Sequence, residues 1–213
     1  MKIPSEELLL YAVTDDRWNG NRSLLDLIED ALEGGCTLVQ LREKNMSEWS
    51  LLMEASKALA LCHRFGVKLI INDNVDIAKK SGADGIHLGK TDMPVAEARE
   101  ILGKTYIIGK SVKTVEEALQ AQADGADYLG VGACFGSATK GDATQIDLDV
   151  INEITRAVEI PVVGIGGINK TNMKELEGRG LSGAAVVSAI FSSRDIVKDT
   201  IELKALAQKT FGN

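Results

Sequence analysis

Cysteine, proline and aromatic residues are all scarce in this chain, and each shortage removes a class of protein. The three cysteines, Cys36, Cys62 and Cys134, form no CxxC pair. Neither a disulfide framework nor a zinc site is expected, and each thiol reads as a small core residue rather than a nucleophile. Basic charge is also short, with a net charge of -7. General nucleic-acid or anionic-membrane binders usually carry basic surfaces, so this balance argues against both while leaving room for a local cationic pocket. Long hydrophobic runs are missing as well. "LLLYAV" near the N-terminus falls far short of the roughly 20 residues a membrane helix needs, and no cleavage site follows it. A reducing cytoplasm is the expected location. Small molecules are the expected partners, without nucleic acid or membrane, and a homo-oligomer is left open.

Glycine is abundant, with 21 residues against 3 prolines in a chain of 213 that is 45% hydrophobic but only 4% aromatic. That balance points to aliphatic strands packed closely on helices and joined by tight turns. Strand-like runs cover Leu8 to Asp15, Thr37 to Glu43, Lys68 to Asp73, Gly85 to Gly89, Tyr106 to Val112, Tyr128 to Cys134, Pro161 to Ile168 and Gly183 to Phe191. Amphipathic segments separate them, the seventh being "TNMKELEGRG". Ser23 and Thr114 sit as N-caps, and Gly35, Gly66, Gly82 and Gly125 stand just past helix ends. "GADGIHLG" and "GADYLGVG" repeat a Gly-Ala-Asp turn into a strand, with "GGCTLVQL" and "GLSGAAVVS" as looser versions. Eight strand–helix units without a linker predict one (β/α)8 TIM barrel over 1–213. A doubly wound open sheet fits less well, because no GxGxxG follows the first strand.

Barrel active sites lie at the C-terminal strand ends, and those ends carry the polar residues here. In "QLREK", alternation places Gln40, Arg42 and Lys44 on one face and Leu41 and Glu43 on the other. Two cations in a barrel mouth need an anion. A bound phosphate supplies one; Glu43 or acidic neighbours are the alternative. Asn72 and Asp73 end the third strand and Asp92 follows the fourth. Two carboxylates on neighbouring strand ends suit Mg2+, which takes one or two carboxylates plus phosphate oxygens and water. Each Asp alone would pass as a turn residue. His87 has no second ligand at metal spacing and reads as structural, while His63 reads as surface. Ser111 ends the fifth strand and can donate to a phosphate oxygen or serve a turn. "CFGSATKGDATQ" places Ser137, Ala138, Thr139 and Lys140 between Gly136 and Gly141, the pattern of a loop that closes over a ligand, with an ordinary surface loop as the alternative. Gly166-Gly167 and Val187-Ser188 fall after strands seven and eight, where these barrels commonly bind phosphate through backbone N–H groups.

Taken in order, "YAVTD", "QLREK", "IIND", "GADGIHLGKTD", the Ser of "GKSV", "ADYLGVGA", "SATKGDA", "PVVGIGGI" and "VVSAIF" resemble the thiamine-phosphate synthase family over nearly the whole chain. The resemblance implies a transferase that joins a hydroxymethylpyrimidine diphosphate to a thiazole phosphate, or to its carboxylated precursor, with release of diphosphate. Carried over by motif, Gln40, Leu41, Arg42, Glu43, Lys44 and Asn72 would hold the pyrimidine diphosphate, and Asp73 and Asp92 would hold Mg2+. Ser111 and Lys140 would contact the diphosphate, with Arg42 and Lys44 sharing the catalytic charge. Ser137, Ala138, Thr139, Gly166, Gly167, Val187 and Ser188 would bind the thiazole phosphate. Two places depart from the family pattern. Lys90 stands where Gln is usual, and Ser137 begins the usual Thr-x-Thr-Lys, preceded by Gly136 where Pro is common. A related thiazole tautomerase would need no metal–diphosphate cluster, and a non-catalytic thiamine-phosphate-binding barrel is separated only by an assay for product.

Overall fold

The weak repeats mark a polar clamp that sets strand register. Asp84 stands one residue ahead of a strand; its carboxylate accepts from Leu69 N–H at 2.8 Å while its own N–H donates to the Leu69 carbonyl at 3.0 Å. Asp127 repeats both bonds to Ile108, at 2.9 and 2.7 Å. In the looser repeat, Thr37 does the same with a hydroxyl, accepting from Leu10 N–H at 2.9 Å and donating its N–H to the Leu10 carbonyl at 2.8 Å. Ser182 keeps the backbone half, donating to the Val162 carbonyl at 2.8 Å. Each clamp ties the residue before a strand to the start of the preceding strand, so buried backbone groups there are satisfied.

The structure, a computed structural model, describes residues 3–18, 20–136 and 145–212. Strands β1 (Leu10–Val13), β2 (Leu38–Leu41), β3 (Lys68–Asn72), β4 (Gly85–Leu88), β5 (Ile107–Val112), β6 (Tyr128–Gly132), β7 (Val162–Ile165) and β8 (Gly183–Val186) close in chain order into a parallel barrel. The doubly wound alternative is excluded by the pairing of β1 with β8. Around the barrel run α1 (Leu24–Glu33), α2 (Glu48–Arg64), α3 (Val75–Ser81), α4 (Val95–Leu102), α5 (Val115–Ala123), α6 (Leu148–Ala157), α7 (Ser188–Phe191) and α8 (Ile196–Phe211). Ser23 and Thr114 cap α1 and α5 as expected, accepting from Asp26 and Glu117 N–H. The four helix-end glycines all take positive φ. No described helix is long and apolar enough to cross a membrane.

Two expectations are corrected. The segment after β7 forms only a 3-10 turn, Met173–Leu176. Asn169 and Asn172 divert its start, their side chains accepting from Thr171 and Asn169 N–H in competition with helix bonding. The last strand stops at Val186 rather than running to Phe191, because α7 begins at Ser188.

Alternation along the strands builds two apolar regions. Outward side chains such as Val39, Leu41, Leu69, Ile71 and Ile86 pack under the helices. Inward side chains including Tyr11, Leu38, Ile70, Ile107, Tyr128 and Val163 fill the lumen above Ile3 and Leu8. One period of two further along β2 and β3 the inward positions become Gln40 and Asn72, and two periods along β5 comes Ser111. The lumen therefore changes from apolar floor to polar mouth within one or two residue pairs along these strands.

Candidate active site

That polar layer opens into a cavity of about 450 Å³ at the C-terminal end of the barrel. Gln40, Arg42 and Lys44 line it, in the alternation expected from "QLREK". Leu41 and Glu43 do not. Leu41 is buried in the helix-facing core, and Glu43 is buried beside β1, where Thr14 Oγ1 donates to its carboxylate at 2.7 Å. Burial pushes the Glu43 carboxyl up to about 7, helped by nearby Asp16 and Asp15 and opposed by the Thr14 bond and Arg42.

Arg42 does not pair with Glu43 here; its partner in the fold is the other acidic candidate, a neighbour from the adjacent strand end. It is Asp15, just past β1, whose carboxylate lies 2.5 Å from Arg42 Nη1 and also receives Arg17 at 2.6 and 3.1 Å. Burial pushes Asp15 up, but these two guanidinium groups outweigh it and hold the carboxyl below its usual range. Asp15 thus fixes the Arg42 side chain before any substrate arrives. The sequence reading missed this residue. Its position at a strand end, like those of Asn72 and Ser111, was the available signal.

Asp73 occupies a strained turn. Its φ is +62°, rare for a residue with a side chain, and Asn74 N–H donates to the Asn72 carbonyl at 2.7 Å across it. The Asp73 N–H is held by the His87 carbonyl at 2.9 Å. The residue is therefore a turn residue by backbone and a cavity residue by side chain. Its carboxylate meets Asp92, which is anchored by Gly89 N–H at 2.6 Å. A Cβ on Gly89 would lie 2.9 Å from Asp92 Oδ2 and 4.0 Å from Asp73 Oδ1, so glycine at 89 is what lets Asp92 come in against this turn. Burial first, and then Asp92, raise the Asp73 carboxyl to about 6. At Asp92, burial is outweighed by the bond to Asp73, the Gly89 N–H, Lys110 and Lys44, and the carboxyl falls. Two like charges are held together at a cost that a divalent cation would remove.

The pair fits Mg2+ on this ground. Mg2+ commonly takes one or two protein carboxylates and completes its shell with phosphate oxygens and water, so two carboxylates would be enough to hold it here. Lys44 Nζ stands 3.7 Å from Asp73, and Lys110 Nζ ties down the same loop by donating to the Gly89 carbonyl at 2.6 Å. Lys90, the family departure, lies on the cavity wall and pairs there with Glu117 at 3.4 Å.

Ser111 faces the cavity across from Gln40, and His87 bonds its hydroxyl at 2.9 Å. His87 is buried, as a structural reading requires, yet it also lines the cavity and touches a candidate site residue. Sequence spacing carried no signal of that contact, which exists only because β4 and β5 are neighbours.

The opposite wall is neutral. Gly166, Gly167, Val187 and Ser188 line it, with Ser188 opening α7. The two glycines have φ of +99° and +66°. A Cβ on Gly166 would sit 2.7 Å from Ala133 Cα, and one on Gly167 would sit 2.7 Å from the Phe135 and Gly136 carbonyl oxygens. Their small size therefore first serves the close approach of the chain after β6. Ser137, Ala138, Thr139 and Lys140 lie outside the described residues.

The chain is similar to known proteins over most of its length. A family model described as thiamine monophosphate synthase matches residues 10–190. A thiamine-phosphate synthase of Ruminiclostridium cellulolyticum is 48% identical over 88% of this chain and 89% of its own. That of Clostridium acetobutylicum is likewise 48% identical, over 88% and 89%. Among solved structures, a thiamine phosphate pyrophosphorylase from Pyrococcus furiosus is 38% identical, covering 98% of this chain and 99% of that one, with a TM-score of 0.90.

Proposed function

The chain belongs to the thiamine monophosphate synthase family, and from that premise we propose how its strand ends make thiamine phosphate. It is a transferase that joins a pyrimidine diphosphate to a thiazole phosphate and releases diphosphate. One observation carries the assignment of roles: Arg42 and Lys44 share a single cavity with the convergent carboxylates of Asp73 and Asp92. Cations alone would suit any anion, and carboxylates alone would repel one. Together they suit a metal-bound diphosphate.

The diphosphate is bound by Arg42, Lys44 and Lys140, with Asn72 beside it. Asp15 holds Arg42 in place, so little reorganisation accompanies charge development on the leaving oxygens. Asp73 and Asp92 would hold Mg2+, which when bound supplies positive charge to the diphosphate. The methylene C–O bond breaks and its electron pair leaves with the diphosphate; the aminopyrimidine ring shares the positive charge that develops on the carbon. The thiazole nitrogen lone pair then forms the new C–N bond. Gly166, Gly167, Val187 and Ser188, with Ser137, Ala138 and Thr139, hold the thiazole phosphate on the neutral wall, which orients the nucleophile and excludes water. No side-chain nucleophile is needed, and the three cysteines are buried with their thiols pushed up by burial.

The test is formation of thiamine phosphate from the two substrates by purified protein. Product should appear with Mg2+ and vanish in excess chelator. Undiminished synthesis in chelator would remove the metal from the reading.

A further inference from the structure

Beneath the cavity, hydrogen bonds link β2 to β5 through the lumen. Gln40 Nε2 donates to Tyr11 Oη at 2.6 Å, and Tyr11 Oη meets Tyr128 Oη at 2.9 Å. Tyr128 Oη meets His87 Nδ1 at 3.0 Å, and His87 Nε2 meets Ser111 Oγ at 2.9 Å. The residues come from β2, β1, β6, β4 and β5 in turn. Both phenols are essentially without solvent exposure, and burial raises them so far that each keeps its proton.

We propose that this chain has one direction and thereby fixes the hydrogen-bonding character of the cavity at its β2 and β5 ends. Proton counting gives the direction. An amide nitrogen only donates, so Tyr11 Oη accepts from Gln40 and must spend its single proton on Tyr128. Tyr128 then has its own proton left for His87 Nδ1, which must be bare. The imidazole proton therefore sits on Nε2 and points at Ser111 Oγ. With its oxygen accepting, the Ser111 hydroxyl is left to donate into the cavity. At the other end, Gln40 has committed its nitrogen to Tyr11, so its carbonyl oxygen is the group offered to the ligand.

The cavity consequently reads a ligand that presents a donor on the β2 side and an acceptor on the β5 side. Resting on the function proposed above, an aminopyrimidine meets that description, with its amino group toward Gln40 and a ring nitrogen toward Ser111. Tyr11, Tyr128 and His87 are positioning residues in this arrangement. The fold commits space to it: a Cβ on Gly109 would lie 2.1 Å from Tyr128 Cζ, and one on Gly130 would lie 3.2 Å from His87 Cε1.

Nitrogen NMR of His87 tests the direction without any need for activity. The chain has only two histidines, and His63→Gln, on the half-exposed end of α2, leaves His87 as the sole imidazole. A protonated Nε2 with a bare Nδ1 is expected, and a proton on Nδ1 overturns the proposal. Specificity is the second arm, using the pyrimidine diphosphate and its 4-oxo analogue, which offers an acceptor in place of the amino donor. The parent should favour the amino substrate by at least about 100-fold in kcat/KM, because the wrong group leaves buried polar atoms unpaired. Tyr128→Phe frees the Gln40 amide to turn over and should shrink that ratio by about tenfold or more, with mixed His87 tautomers. Tyr11→Phe should shrink the ratio while His87 keeps its Nε2 proton, since Tyr128 still donates to it. Equal losses on both substrates in the two variants would show a merely structural role. Absence of synthesis in the parent would sink the functional reading alone, because the NMR arm still decides the direction of the chain.

Discussion

The two walls of the cavity are built on opposite principles. The β2–β5 wall carries charged side chains, with Arg42 on Asp15, Lys44 near Asp73, and Asp73 against Asp92. The β7–β8 wall carries no charged side chain among its described lining residues, and Gly166 and Gly167 at positive φ let it close against the chain after β6. The Lys44, Asp73 and Asp92 part of the charged wall should therefore tolerate substitutions in stability but not in activity, because those groups sit at the solvent end and the two carboxylates strain against one another. The neutral wall should show the reverse, because a new Cβ there collides with backbone.

The largest effect should come from the carboxylate pair. Asp73→Asn or Asp92→Asn should lower thiamine phosphate formation on the order of 1000-fold, and the double variant should be little worse, because the two act as one unit. Initial rates across added Mg2+ would check this; additive losses would separate their roles. The same Asp73→Asn change should stabilise the metal-free protein. The Asp73 carboxyl is raised to about 6, above its ordinary value, so its favourable contribution is intact in acid and lost as pH rises through 6. Melting curves in chelator at pH 7 should show the variant melting higher than the parent.

Lys140→Ala comes next, with a fall in kcat on the order of 100-fold and an unchanged melting temperature. Near-parental turnover at saturating substrate would take Lys140 out of leaving-group stabilisation. On the neutral wall, Gly167→Ala should cost roughly 1–3 kcal/mol of stability from backbone strain and collision. It should also raise the KM for the thiazole phosphate more than that for the diphosphate. A variant as stable as the parent would break the contrast between the walls.

The smallest effect concerns Glu43, behind the charged wall. Its folded pKa of about 7 lies above the ordinary carboxylate value because of burial. Its contribution to stability is therefore whole in acid and declines as pH rises through 7. Among the described residues one of its carboxylate oxygens is buried without a hydrogen-bond partner, so little opposes the loss. Glu43→Gln should flatten the dependence of melting temperature on pH between about 5 and 8; an unaltered slope would assign that dependence elsewhere.

Much of the barrel was legible because its signals are local. Helix caps at Ser23 and Thr114, glycines after helices and period-two strands each depend on residues a few positions apart. The seventh helix misled because Asn169 and Asn172 turn their side chains back onto the backbone, an outcome that helical spacing does not report. In the site, parity alone separated Gln40, Arg42 and Lys44 from Leu41 and Glu43, and the cavity lining agrees. The pairing of Arg42 with Asp15 was not legible, since it joins residues 27 positions apart across two strands.

The sequence by itself determined which residues face inward and which strand ends carry charge, because alternation and turn chemistry are set by near neighbours. Tertiary structure alone decided which inward groups touch. Closing the barrel brings β1 beside β8 and stacks Tyr11, Tyr128 and His87 beneath the cavity from strands far apart in sequence. It also decided that Asp73 is both turn and ligand candidate, because only the approach of Asp92 over Gly89 gives that carboxylate a second charge to meet. Contacts of this kind depend on strand order and register, and no short stretch of sequence contains them.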